Sequence, residues 1–340
     1  MTYTGFIPQN VAPIGTRRIG IFDCNGNRVG FIPLGYLTPP VPGRKLYSFG
    51  AVSDVHVQYD TARDDFQRAL AYLNNHEDVA FTCICGDLTA NGTAAELTTY
   101  KGYVDSYSPD TPVYAVMGNH DAYQGLQSAP EAYIGHPKNY VFTYGDDVFI
   151  MMSVESGYPG DIGLSITQAS FQWLYEQLES NRNKRCFLFM HILSQDSSGD
   201  AWGAYNALGK MKGAEKTVWE SLLNHYSNVI WFHGHSHMMF NLQDDTHQNA
   251  NVSHVYANYD VHIPSLAVPR EVNPDGSYEY FYAGSEGYVV DVYPDGIHLR
   301  GRDFVKGEFL PIASYWLDTT LKTVEAGSYF DPTATINTDA

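Results

Sequence analysis

Cysteine is scarce in this 340-residue chain: Cys24, Cys83, Cys85 and Cys186 are too few and too scattered to build a disulfide framework. Cys83 and Cys85 alternate within one apolar run, so they read as small core side chains rather than a bridge or a thiolate metal pair. Positive charge is also in short supply. Lys and Arg total 20 against 38 acidic residues, a formal charge of −18, which repels nucleic acid at long range and argues against a phosphate-backbone binder. No apolar run reaches transmembrane length, and Met1 to Pro13 lacks the basic stretch and apolar core of an export signal. The expectation is a soluble, cytoplasmic protein with no membrane span. Internal repeats and low-complexity blocks are absent, and a content of 44% hydrophobic and 17% charged residues is that of an ordinary globular chain.

The chain divides by pattern. Arg17–Asp23 and Arg28–Ile32 are short β-like runs around Asn25-Gly26, a hairpin-turn signal, and Thr38 to Gly43 is a proline-stiffened spacer. Residues 1–43 are therefore expected to form an N-terminal hairpin arm, which either packs on the main domain or docks it to a larger assembly such as a virion or cell-surface complex. From Leu46 strands and helices alternate, which implies βαβ units. Compact runs at Leu46–Ser53 and Val79–Cys85 flank a helical repeat of Phe66, Ala69, Leu70 and Leu73. Thr93-Ala94-Ala95-Glu96 has the capping-box pattern of a second helix. Further strands are expected at Val113–Met117, Val148–Val154, Arg185–Met190 and Val229–Phe232, with helices from Ser165 and near Glu215–His225. A β-rich end follows from Tyr278 to Asp303, so residues 44–315 are expected to be the main domain and 316–340 a polar tail.

Nearly every one of these strands stops at a residue type that binds metal. The stops are Asp54-Val55-His56, Gly86-Asp87, Gly118-Asn119-His120-Asp121, His191 and Gly234-His235-Ser236-His237. In open α/β sheets the carboxyl ends of the strands border the ligand crevice, so these segments converge. Gathering buried carboxylates and imidazoles without a cation is costly, and a mixed carboxylate, imidazole and amide set suits a divalent ion of intermediate hardness. Seven candidate ligands exceed what one ion takes while leaving room for water, whereas two ions sharing a carboxylate resolve the count. Each residue alone has a plainer reading. An Asp at a strand end is usually a turn or cap, His191 reads as the end of a core strand, and Asn91-Gly92 reads as a turn. His233 is expected to be structural, and His247, His254 and His262 to be ordinary loop or strand residues.

Taken in order, the five motifs resemble the calcineurin-like metallophosphoesterase superfamily over roughly Tyr47 to His237. The resemblance implies an α/β (α+β) fold: two mixed β-sheets packed as a sandwich and flanked by helices. It implies that Asp54, His56 and His237 hold one metal, that Asn119, His191 and His235 hold another, and that Asp87 bridges them. It further implies that His120 is the general acid beside the leaving group, oriented by Asp121, and that a metal-bridging hydroxide attacks phosphorus. The ions are expected to be manganese, iron or zinc, and the substrate a small phosphoester. A phosphodiester is favoured over a monoester because the full motif set resembles the phosphodiesterase branch. A nuclease, or a scaffold used only for binding or assembly, are the alternatives.

Overall fold

The computed structural model describes residues 18–22, 28–33, 43–58, 60–125, 130–156, 165–200, 209–240, 251–253, 259–272, 278–280 and 284–320. Strands β1 (Arg18–Phe22) and β2 (Arg28–Pro33) pair antiparallel as a two-stranded sheet of their own, as the hairpin reading expects; the turn with Asn25-Gly26 lies outside the described residues.

One six-stranded sheet runs β16 (Glu308–Asp318), β15 (Gly296–Asp303), β14 (Glu286–Val292), β3 (Tyr47–Val52), β4 (Thr82–Cys85), β5 (Val113–Val116). The other runs β10 (Val252–Ser253), β11 (Tyr259–His262), β9 (Val229–His233), β8 (Cys186–Met190), β7 (Asp147–Met152), β6 (Asn139–Tyr144). Both sheets are mixed: β3, β4 and β5 are parallel, as are β7, β8, β9 and β11, with antiparallel strands at the edges. A hairpin of β12 (Arg270–Val272) and β13 (Tyr278–Tyr280) stands apart.

Side-chain alternation sorts the strands into layers. Phe149 and Met151 of β7 and Phe187 and Phe189 of β8 face inward, where Phe49 meets Phe149 and Phe187 with ring centroids 5.3 Å apart in each pair. Their neighbours Val148, Ile150, Met152, Leu188 and Met190 face outward. They are covered by α5 (Gln168–Ser180) through Phe171, Leu174 and Leu178, and by α6 (Gly213–His225) through Trp219, Leu222 and Leu223. On the other sheet α1 (Asp60–His76) buries Phe66, Ala69, Leu70 and Leu73, and α2 (Ala94–Tyr107) stacks Tyr100 on Phe66 at 5.6 Å. The Thr93–Glu96 capping box is formed at the start of α2. Cys83 and Cys85 are buried free thiols in the core, as expected from their pattern, and Cys186 is a third. One boundary differs from expectation. Strand β16 continues through Trp316 to Asp318, where Gly296 to Leu299 pair with it, so residues 316–318 belong to the sheet. Residues 321–340 lie outside the described residues.

Candidate metal centre

The parallel strands end on one side of the sandwich, and each end carries the residues singled out by sequence. Asp54 and His56 follow β3, Asp87 follows β4, His191 follows β8, and His235 and His237 follow β9. Asn119, His120 and Asp121 lie in the single helical turn α3 (Asn119–Ala122) after β5, and α4 (Glu131–Ile134) comes next. Asp54, His56, Asp87, His235 and His237 all have positive φ, between 44° and 70°. Non-glycine residues seldom adopt this region, and such strain persists where surrounding structure enforces it. Backbone bonds between strand ends do so: Asp54 N–H donates to Gly86 O, His56 N–H to Asp87 O, and Gly234 N–H to His191 O.

Close approach explains two of the glycines. Gly86 has φ +84°, and a Cβ there would stand 2.6 Å from His191 Cγ; a Cβ at Gly118 would overlap the Asp87 carboxylate.

The imidazoles are oriented by backbone carbonyls. His56 Nδ1 is 3.1 Å from Thr89 O, His191 Nδ1 2.6 Å from Cys85 O, and His237 Nδ1 3.2 Å from Val268 O. A carbonyl only accepts, so each Nδ1 carries the proton and each neutral ring presents the Nε2 lone pair. The carboxylates are likewise held by one oxygen: Asp54 Oδ2 accepts from His235 N–H at 3.1 Å, and Asp87 Oδ1 from His120 N–H at 2.9 Å.

The other atoms of these groups face one another. His237 Nε2 is 2.9 Å from Asp54 Oδ1, His191 Nε2 3.1 Å from Asp87 Oδ2, and His56 Nε2 3.7 Å from Asp87 Oδ2. Those approaches lack hydrogen-bond alignment, and Asp54 Oδ1, Asp87 Oδ2, Asn119 Oδ1 and His191 Nε2 are buried without a hydrogen-bond partner. An unsatisfied buried polar atom is costly, so the orphaned Asp54 Oδ1, Asp87 Oδ2 and His191 Nε2, which face one another, fit a cation. Asp54, His56, Asp87 and His237 bring donors within 4.8 Å of one another; so do Asp87, His191 and His235, and Asp87 is common to both groups.

Electrostatics of the protein alone point the same way. Burial pushes the Asp54 and Asp87 carboxyls up, but the surrounding imidazoles outweigh it and hold both below the usual carboxylate range. Burial drives His56 and His235 down to about 3, so they stay neutral donors. His191 is also pushed down by burial, yet Asp87 and Asp54 raise it to about 9. That rise reflects the positive charge that the two carboxylates demand; a metal cation at Nε2 would supply it and leave the ring neutral.

Asp121 departs from its expected role. Its Oδ2 accepts from Leu88 and Gly118 N–H and its Oδ1 from Thr89 N–H and Oγ1, while His120 Nδ1 bonds instead to Ala90 O at 2.7 Å. The carboxylate thus orients His120 only indirectly, by clamping the 87–90 loop. Asn91 bonds Glu96 beside the α2 cap, consistent with the turn reading. His233 is buried, with Nε2 3.1 Å from Ser198 Oγ, and His262 Nε2 is 2.8 Å from Met238 O. His247 and His254 lie outside the described residues.

One support was not legible in the sequence. Residues 265–268 close the site from beneath: Ser265 Oγ donates to Asp54 O and accepts Ala267 and Val268 N–H, and Val268 O fixes His237. No motif marks this turn: one serine hydroxyl and neighbouring backbone groups make its contacts.

An α/β sandwich with acid and imidazole donors gathered at its strand ends is the architecture of a candidate metal-binding protein. Residues 47–239 match the family model of the calcineurin-like phosphoesterases, and the chain belongs to that family. No curated protein matches it in sequence. Among solved structures it is similar to a purple acid phosphatase from yellow lupin (Lupinus luteus) seeds, with a TM-score of 0.59 and 12% identity over 82% of this chain and 55% of that one. It is also similar to GAP50, the anchor in the inner membrane complex of Plasmodium, with a TM-score of 0.54 and 15% identity over 80% and 88% of the two chains. At these identities the likeness is one of fold, and this chain spans about half the length of the lupin enzyme. Among the described residues no helix is long and apolar enough to cross a membrane.

Proposed function

We propose that this chain hydrolyses small phosphodiesters at a dinuclear metal centre. The observation that carries the reading is the convergence of Asp54 Oδ1, Asp87 Oδ2 and His191 Nε2, buried and unsatisfied, with Asp87 shared by two donor groups. Asp54, His56 and His237 would hold one ion, Asn119, His191 and His235 the other, with Asp87 between them. Manganese, iron and zinc all suit this mixture of oxygen and imidazole donors. Bound divalent ions supply Lewis acidity at phosphorus and make water acidic enough to attack near neutral pH.

The chain's own groups do the rest. Carbonyl-anchored imidazoles present their Nε2 lone pairs without reorganising, and the buried floor excludes bulk water. His120 Nε2 stands 3.9 Å from Asp87 Oδ2, at the open rim of the donor set, with its Nδ1 proton committed to Ala90 O. A protonated His120 can then donate only through Nε2, to the departing oxygen. A diester is favoured because the net charge of −18 repels a dianionic monoester more strongly than a monoanion. The same charge argues against a nuclease.

An assembly role alone is the second reading. It draws on the paired β1–β2 hairpin and on the fold shared with an anchor protein of Plasmodium. An intact donor set weighs against scaffold use without catalysis.

Hydrolysis of bis(p-nitrophenyl) phosphate and p-nitrophenyl phosphate by metal-stripped protein, titrated with manganese beside Asp87→Ala, tests the proposal. Metal-dependent turnover favouring the diester and absent from the variant is expected. Turnover of neither ester with any divalent metal would sink it.

A further inference from the structure

Four rings form a file leading out of the donor set. His237 and His56 have centroids 5.0 Å apart, His56 and His120 4.8 Å, and His120 and Tyr123 4.8 Å. The first two are buried and the last two half-buried, so the file runs from the floor of the site to its rim. Tyr123 holds its place because it follows His120 by three residues on one helical turn, which puts both on the same face. Its N–H donates to His120 O at 3.3 Å, and Gly125 N–H continues the turn to Ala122 O at 3.0 Å.

We propose that Tyr123 is the specificity residue on the leaving-group side, and that the site takes phosphoesters bearing an aromatic group on the departing oxygen. This rests on the reading of His120 as the acid. The departing oxygen must meet His120 Nε2, because Nδ1 is occupied by Ala90 O. Its substituent then extends away from the buried donors, toward the rim where Tyr123 flanks His120. A tyrosine ring offers a broad, flat, apolar face at little cost in side-chain entropy, and it favours a second flat ring over a small alkyl group.

The test compares phenylphosphonate with methylphosphonate by calorimetry on manganese-loaded protein, alongside kcat/KM for benzyl and methyl esters, whose leaving alcohols are of similar basicity. The wild type is expected to prefer the phenyl compound by about tenfold, the scale of one good aromatic contact. Tyr123→Ala should erase that preference, weakening the phenyl compound about tenfold more than the methyl one, and Tyr123→Phe should keep it. Tyr123→Leu preserves apolar bulk without a π-face and serves where the Ala variant folds poorly; it too should lose the preference. No preference in the wild type, or equal weakening of both phosphonates in the Ala and Leu variants, overturns the inference. Turnover without a phenyl preference refutes this inference alone, whereas an intact binding preference without turnover refutes the hydrolase reading.

Discussion

Asp121 receives four hydrogen bonds from the 88–89 segment and Gly118, and a carboxylate so occupied has no lone pair directed at His120. Burial, then the charge of Asp87, pushes it up to about 6 against those donors. Its effect on the chemistry passes through the loop that carries Asp87, the Thr89 carbonyl on His56 and the Ala90 carbonyl on His120. Asp121→Asn turns one oxygen into a donor facing N–H groups, and should cost about 1–3 kcal/mol of stability. Urea denaturation measures it, and weaker manganese binding in the same variant would show that the loop transmits the loss. Gly86 permits a different check. Gly86→Ala adds a Cβ to a residue at φ +84° and against His191, so manganese affinity should fall about 10- to 100-fold. Unchanged affinity by calorimetry would show that His191 does not depend on that approach.

At the scale of elements, the donor set follows from parallel strands whose ends carry the donors, Asp54, His56, Asp87, His235 and His237 among them in the left-handed region. Each such strand delivers its side chains at the carboxyl edge, and the glycines let the edges approach. The buried acids around these elements shape stability with pH. Glu215, which accepts Ser165 and Ile166 N–H ahead of α5, and Glu286 on β14 are both pushed up to about 7 by burial, from an ordinary value of 4.5. Folded protein therefore binds these protons more tightly than unfolded protein. Their contribution is complete below about pH 4.5 and lost as pH rises through about 7. Glu286→Gln should shrink the fall in urea midpoint between about pH 5 and about pH 8. A midpoint profile parallel to wild type would show that Glu286 titrates in its ordinary range.

For the whole molecule, the hairpin of β1 and β2 forms a sheet separate from the two that hold the site. Deleting residues 1–43 should leave turnover of a small ester at wild-type kcat/KM if the arm serves docking. Loss of folding, followed by circular dichroism, would place the arm within the catalytic fold instead.

The amino-acid order by itself determined the alternation of strands and helices, the Thr93 cap, the hairpin and the identity of the donors at the strand ends. These are local or periodic properties: hydrophobic alternation selects strands, and a polar residue closing an apolar run stands out. The tertiary structure alone decided which ring nitrogen each histidine presents, that Asp121 clamps a loop instead of touching His120, and that residues 265–268 close the site from beneath. Those features depend on backbone carbonyls and amides brought together from distant strands. Every residue carries the same backbone groups, so their positions leave no mark in the order of side chains.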